Sequence, residues 1–422
     1  MNKKIAITFI AMTLMAQTLF AQNDLPRERL HSVKKAVYSV GKIEQKEVSV
    51  VDTLKHMFED GKVSGQIRME YAAYNQKQTN VEDSYATALG GILKYELAEL
   101  NGFNAAAAVY TSHDIGFLTG EGTKQNSELS SSKGSFTEMS EAYLNYHYKE
   151  FNFRAGRQVL NTPLADSDDI RLIQNTFEAY VASYAYEGIS MMAGHINLWQ
   201  GYDADLDDGW NKAGVHGTNF GGIAYNNILE FNAWYYNITQ TTNASYLDFG
   251  IQYSINKDML VHAMAQYLKE DELSNSGYKT EIYGGMFEYV VHGLGLNIAY
   301  NQADSRNGKQ SFSGTGGGTL FTSMDTMILD NIAQDRKANA FVSGISYNYE
   351  DLNLLYAYGS FKGDANSLGV KEQIVEQDIG FEYNVNDKFI VSAIYVLEED
   401  KQNTQKTDYD WDRMQVMLNY NF

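Results

Sequence analysis

The stretch Arg413-Met414-Gln415-Val416-Met417-Leu418-Asn419-Tyr420-Asn421-Phe422 decides the fold. Met414, Val416, Leu418, Tyr420 and Phe422 alternate with Arg413, Gln415, Met417, Asn419 and Asn421. A side-chain period of two belongs to a β-strand with one apolar face. The same pattern recurs upstream. Ile67, Met69, Tyr71 and Ala73 oppose Gln66, Arg68, Glu70 and Ala72, and Leu229, Phe231, Ala233 and Tyr235 oppose Glu230, Asn232, Trp234 and Tyr236. Further instances are Leu294-Leu296-Ile298-Tyr300 and Ile379-Phe381-Tyr383.

The links between these strands alternate in length. Tyr225 to Ile228, Asn256 to Asp258, Tyr349 to Asp351 and Val385 to Lys388 are short. Asp114 to Thr137, Leu198 to Gly214, Glu270 to Lys279, Ala303 to Lys337 and Glu398 to Tyr409 are long and polar. Short turns at one end and long loops at the other mark an all-β, up-and-down antiparallel transmembrane barrel. The pattern from Gly65 onward predicts about 18 strands, wide enough for an aqueous lumen.

Composition agrees. The chain has 31 Tyr, 20 Phe and 4 Trp, as expected where aromatic girdles mark two membrane interfaces. Mean hydropathy is only −0.38, because a barrel strand shows lipid every second side chain. Pro, which interrupts a ladder, occurs twice. A soluble β-sandwich explains the alternation, but not the aromatic load and the turn asymmetry together. With no Cys there is neither a disulfide nor a thiolate-bound metal. A net charge of −20 argues against nucleic-acid binding, which needs a basic face.

At the N-terminus, Lys3 and Lys4 precede an apolar stretch from Ile5 to Phe20. Residues 1–21 are read as a signal peptide cleaved near Ala21, for export to the Gram-negative outer membrane. Residues 22–62 form the expected periplasmic or barrel-mouth extension, with a short helix within Val51 to Phe58, and residues 63–422 the barrel. Aromatic residues at the final and third-last positions resemble the assembly signal read by the outer-membrane insertion machinery, making that machinery an expected partner of Phe422. Outer-membrane lipid and lipopolysaccharide are the expected surroundings.

One loop stands apart. Arg157-Gln158-Val159-Leu160-Asn161-Thr162-Pro163-Leu164-Ala165-Asp166-Ser167-Asp168-Asp169-Ile170-Arg171-Leu172-Ile173-Gln174-Asn175-Thr176-Phe177 mixes carboxylates with five apolar residues between Leu160 and Ile173. Such a composition suits a loop packed against a barrel wall better than one in free solvent. The stretch resembles the OprD-like family of substrate-specific outer-membrane porins, in which a Gly-containing strand leads into a Pro-containing loop, then Arg-Leu, then Thr-Phe. Gln174 and Ala179 depart from the residues common at those places. The resemblance implies a loop folded into the lumen to build a constriction, with Arg157, Pro163, Asp166, Asp168, Asp169, Arg171 and Phe177 as its candidate residues. Arg171 has two readings, a structural ion pair or a cation facing the solute.

Strand parity points Arg68, Lys94, Arg154 and Arg413 into the lumen, since a charge facing lipid costs about 2–4 kcal/mol near the midplane. The resemblance implies a basic ladder guiding carboxylates; the other reading is that these residues balance lumenal acids such as Glu70. Asp203-Ala204-Asp205-Leu206-Asp207-Asp208-Gly209 departs from a calcium loop, with Asp208 where Gly belongs and Gly214 where Glu belongs. Val215-His216-Gly217-Thr218-Asn219 lacks a nucleophilic Ser. The sequence therefore predicts a passive, substrate-selective porin for small polar or anionic solutes such as amino acids and organic acids. It predicts no enzyme, no cofactor and no metal. A less selective major porin, with a homotrimer left open, and a structural or adhesive barrel are the alternatives.

Overall fold

The computed structural model describes residues 49–316, 318–403 and 405–422. The expected signal peptide and most of the expected N-terminal extension lie outside them. Eighteen long strands form the wall. The first six are β1 (Lys62–Gln76), β2 (Ser84–Glu96), β3 (Phe103–Asp114), β4 (Ser135–Tyr148), β5 (Phe151–Gln158) and β6 (Thr176–Tyr186). The next six are β7 (Ile189–Gln200), β8 (Thr218–Asn226), β9 (Leu229–Ile238), β10 (Thr242–Asn256), β11 (Met259–Glu272) and β12 (Thr280–Val291). The last six are β13 (Leu294–Asp304), β14 (Lys337–Tyr349), β15 (Leu352–Gly363), β16 (Glu372–Asn384), β17 (Phe389–Asp400) and β18 (Trp411–Asn421).

Each strand pairs antiparallel with the next, and β18 pairs with β1, with Arg68 opposite Asn419 and Tyr74 opposite Arg413. Gly65 and Phe422 exchange two backbone hydrogen bonds of 3.1 Å that extend this seam. The sheet is closed, so no edge is left to find another partner.

The parity seen in the sequence holds in space. Ile67, Leu93, Phe153, Tyr180, Phe231, Leu247, Phe287, Ile298 and Phe381 lie exposed on the outer wall, while Gln66, Arg68, Glu70 and Ala72 are buried on the inner one. The short turns are tight because their central residues take positive φ, as at Asn101-Gly102, Glu187-Gly188 and His292-Gly293. Before β1, a short helix α1 (Leu54–Glu59) is capped by Thr53, whose side chain accepts from the His56 backbone N–H. Among the described residues no helix is long and apolar enough to cross a membrane; this says nothing of strands.

More than one of the long loops turns inward. Residues 115–134 bury Leu129, residues 159–175 bury Leu160, Leu164, Leu172 and Ile173, and residues 305–336 bury Phe321, Met324, Met327, Leu329 and Ile332. The last of these carries a single-turn helix, α2 (Leu329–Ile332), and packs on the inner wall beside Tyr246, Leu268, Ile282 and Phe361. Apolar side chains that would be stranded in water are thus buried inside the barrel.

Candidate functional site

The inward loops converge on the seam where β18 meets β1. Arg68 holds Asp169 with two parallel bonds, Nη1 to Oδ1 at 2.5 Å and Nη2 to Oδ2 at 2.7 Å. The same Nη1 donates to the Arg171 carbonyl at 2.7 Å, and Nε donates to Asn419 at 2.9 Å. This bidentate fork is the geometry that guanidinium and carboxylate share best. Arg413 reaches the other two loops. Its Nη1 donates to Asp325 at 2.7 Å, its Nη2 and Nε donate to Glu128, and its Nη2 also meets Gln415 at 2.6 Å.

Arg171 closes the circuit. It lies 2.7 Å from Glu128 and over the Tyr202 ring, 5.0 Å from its centroid. Its partner is therefore a carboxylate from another loop, not the Asp residues beside it in sequence. Burial alone would raise the Glu128 carboxyl, but the Arg413 and Arg171 guanidinium groups outweigh it and hold it below its ordinary range. Glu128 and Asp325 have no place among the sequence-predicted residues, although each sits in a loop with buried apolar neighbours.

The other predicted residues fall into separate places. Lys94 pairs with Glu141 at 2.8 Å, and Arg154 donates to Asn145 at 3.2 Å beneath the Tyr143 ring. Both face the lumen, away from the seam. Arg157 does not enter the lumen. It shares the outward parity of Phe151, Phe153 and Ala155, pairs with Glu138 at 3.3 Å, and stacks on Trp210. Pro163 offers its carbonyl to Thr319, so loops 159–175 and 305–336 are also bonded to one another. Asp166 and Thr315 extend that contact through a backbone bond of 3.2 Å, and the Asp166 Oδ1 accepts from the Asp168 N–H at 3.3 Å. Phe177 is fully buried and stacked against Trp199.

Across the barrel the inner wall changes character. Phe220, Trp234 and Tyr236 stack with centroids 6.1–6.4 Å apart, and the Tyr236 hydroxyl accepts from the Leu164 N–H at 3.4 Å. Nearby, His262 Nε2 lies 2.9 Å from a Glu230 carboxylate oxygen and Nδ1 lies 3.9 Å from Glu288. In the acidic stretch Asp203 to Gly209, Asp203 accepts from Asn175 at 2.7 Å and Asp207 from the Ser132 N–H at 2.9 Å. Among the described residues no group of His, Cys, Asp and Glu is arranged to hold a metal ion. The Thr218 hydroxyl donates to the Ala213 carbonyl at 2.5 Å.

A closed barrel of 18 strands with loops tied to its seam from inside is the architecture that outer-membrane porins share. Solved structures bear the fold out. A BenF-like porin from Pseudomonas fluorescens Pf-5 superposes with a TM-score of 0.75 at 13% identity, covering 87% of this chain and 99% of that one. OccAB2 of Acinetobacter baumannii gives 0.73 at 14% identity over 87% of this chain and 99% of its own. Pseudomonas aeruginosa OpdK, solved with vanillate, gives 0.72 at 16% identity over the same shares. The fold is that of the OprD-like, or Occ, porins. No protein-family model matches the sequence, and no curated protein matches it.

Proposed function

We propose that this chain is a passive outer-membrane channel for small polar solutes, with its constriction made by loops 115–134, 159–175 and 305–336. The observation that carries this is the ion-pair knot at the seam, where Arg68, Arg171 and Arg413 hold Asp169, Glu128 and Asp325. Loops left free would leave a wide tube, whereas loops fixed at both ends and at their middles set a size limit. In this reading Arg68 and Arg413 position the constriction, because both guanidinium groups are buried behind loop carboxylates. Of the four basic candidates read from strand parity, Lys94 and Arg154 are left to line the path. No chemical step is assigned to any residue. Phe422 is proposed as the end presented to the insertion machinery.

Recording from protein reconstituted in planar bilayers tests the reading. Ohmic single-channel conductance is expected, reduced by a solute that binds in the constriction. A chain that inserts as a folded barrel and never conducts refutes it.

A further inference from the structure

Beside the periplasmic end of the seam the chain builds a structure that takes no part in the pore. Val50 and Val51 pair in parallel with Glu99 and Leu100 of the β2–β3 turn, and the Glu99 N–H donates to the Ser49 carbonyl at 2.9 Å. Helix α1 follows, and its Met57 carbonyl accepts from the Ala98 N–H at 2.9 Å. The β2–β3 turn is one of the short links, which face the periplasm in an up-and-down barrel.

Tyr95 fixes the side of the wall on which α1 ends. It shares the outward parity of Leu93 on β2, and its hydroxyl donates to the Phe58 carbonyl. Gly61, which leads into β1, lies so close to the same ring that a Cβ would overlap it. The helix end therefore sits on the lipid side of the rim, outside the lumen. There it continues the apolar outer wall, where Val63, Leu93 and Phe103 are exposed.

The helix sorts its residues by face. At roughly 100° per residue, Leu54, Met57 and Phe58 share one arc, and Lys55, His56 and Glu59 take the other. Met57 is buried, whereas Leu54 is 64% and Phe58 55% exposed. Lys55 and Glu59 pair at 3.3 Å on the polar face. Side chains of this size are stranded in water but well placed beneath lipid headgroups. The sequence ahead of Ser49 suits the same surroundings, since residues 22–48 hold six Lys or Arg against four Asp or Glu in a chain of net charge −20.

We propose that α1 is an interfacial foot, seated in the periplasmic leaflet with Leu54 and Phe58 among glycerophospholipid acyl chains and its polar face toward water. Lipid is the occupant of the apolar face because that face runs on from a wall that lipid already covers. The basic sequence beside it complements anionic headgroups. So seated, the foot sets the height of the seam strand β1 in the membrane and leads the N-terminal chain away from the lumen exit. It lies outside the pore, and its seating does not depend on conduction.

Spin labelling of the full chain, which has no Cys, tests this. Single nitroxides are placed at Leu54→Cys, Phe58→Cys, Lys55→Cys or Glu59→Cys in phosphatidylethanolamine–phosphatidylglycerol vesicles, with a water-soluble nickel chelate on both sides of the membrane. Oxygen, which concentrates among acyl chains, is expected to relax the labels at 54 and 58 several-fold more than the chelate does. At 55 and 59 the order is expected to reverse. The two apolar sites are read separately, so a folding defect in one variant leaves the other informative. Relaxation dominated by nickel at 54 and 58 overturns the proposal. Shielding of both sites from both reagents overturns it too, because protein, whether residues 22–48 or a second copy, would then cover the face.

Discussion

The seam wall at β18 and β1 and the far wall at β9 to β15 hold the same plug by different physics. At the seam the contacts are buried ion pairs, few and directional, from Arg68 and Arg413 to three different loops. On the far wall, among the described residues, no Lys or Arg reaches the loop from the strands. Loop 305–336 is held there by packing of Met324, Leu329 and Ile332 beside Leu268, Ile282 and Phe361, and by hydrogen bonds to Gln266, Glu270, Asn301 and, on the neighbouring β16, Glu376. Apolar packing tolerates small changes in shape, because each contact contributes little. A buried ion pair does not, since removing one partner leaves an uncompensated charge in a medium that solvates it poorly. The plug is therefore hinged on one side and cushioned on the other.

The largest effect should follow from Glu128→Ala, which deprives both Arg171 and Arg413 of a partner. A loss of about 3–5 kcal/mol in loop docking is expected. It should appear as larger single-channel conductance and as new protease cleavage within 115–134. Unaltered conductance would show that the seam does not hold the loops. Arg68→Met should cost less, about 1–3 kcal/mol, because Asp169 keeps its access to water when its partner is lost. Its effect should be confined to loop 159–175, as read by site-directed labelling of single Cys variants in this Cys-free chain.

On the cushioned side, Ile332→Val removes one methylene from a fully packed position. About 0.5–1.5 kcal/mol is expected, with conductance unchanged within error. A conductance change as large as that of Glu128→Ala would erase the distinction between the walls.

The smallest effect is that of mild acid. The Glu128 carboxyl is held below its ordinary value of 4.5, so its contribution is fully present above that value and is lost only as pH falls through the lowered one. Docking of loop 115–134, followed by protease resistance, should be constant from about pH 8 to about pH 5 and fail only in stronger acid. Release of the loop already near neutrality would mean that a different group governs the seam.

The barrel was legible in the sequence because lipid enforces a strict period of two on every strand, from Ile67-Met69-Tyr71 to Val416-Leu418-Tyr420. The inward fold of 159–175 was legible for a related reason, since Leu160, Leu164, Leu172 and Ile173 have no place in free solvent. Loops 115–134 and 305–336 carry the same signal in Leu129 and in Phe321, Met324, Met327, Leu329 and Ile332, where it stayed hidden inside longer polar stretches. The partners of Arg68, Arg171 and Arg413 were not legible. Parity fixes which face a side chain takes, but not the register of β1 on β18, which places Arg68 opposite Asn419 and far along the seam from Arg413. Nor does it fix how far a loop carboxylate travels. Arg157 shows the converse limit: it borders the inward loop in sequence and yet belongs to the outer rim.

The seam also carries a consequence in time. Arg68 lies on the first strand of the barrel and Arg413 on the last, so the full set of counter-charges for the three loops exists only once the two ends of the chain have met. Until then loops 115–134 and 305–336 lack Arg413, and their apolar residues are gathered against an unfinished wall. Closure of the cylinder thus completes the counter-charges that dock the loops inside it.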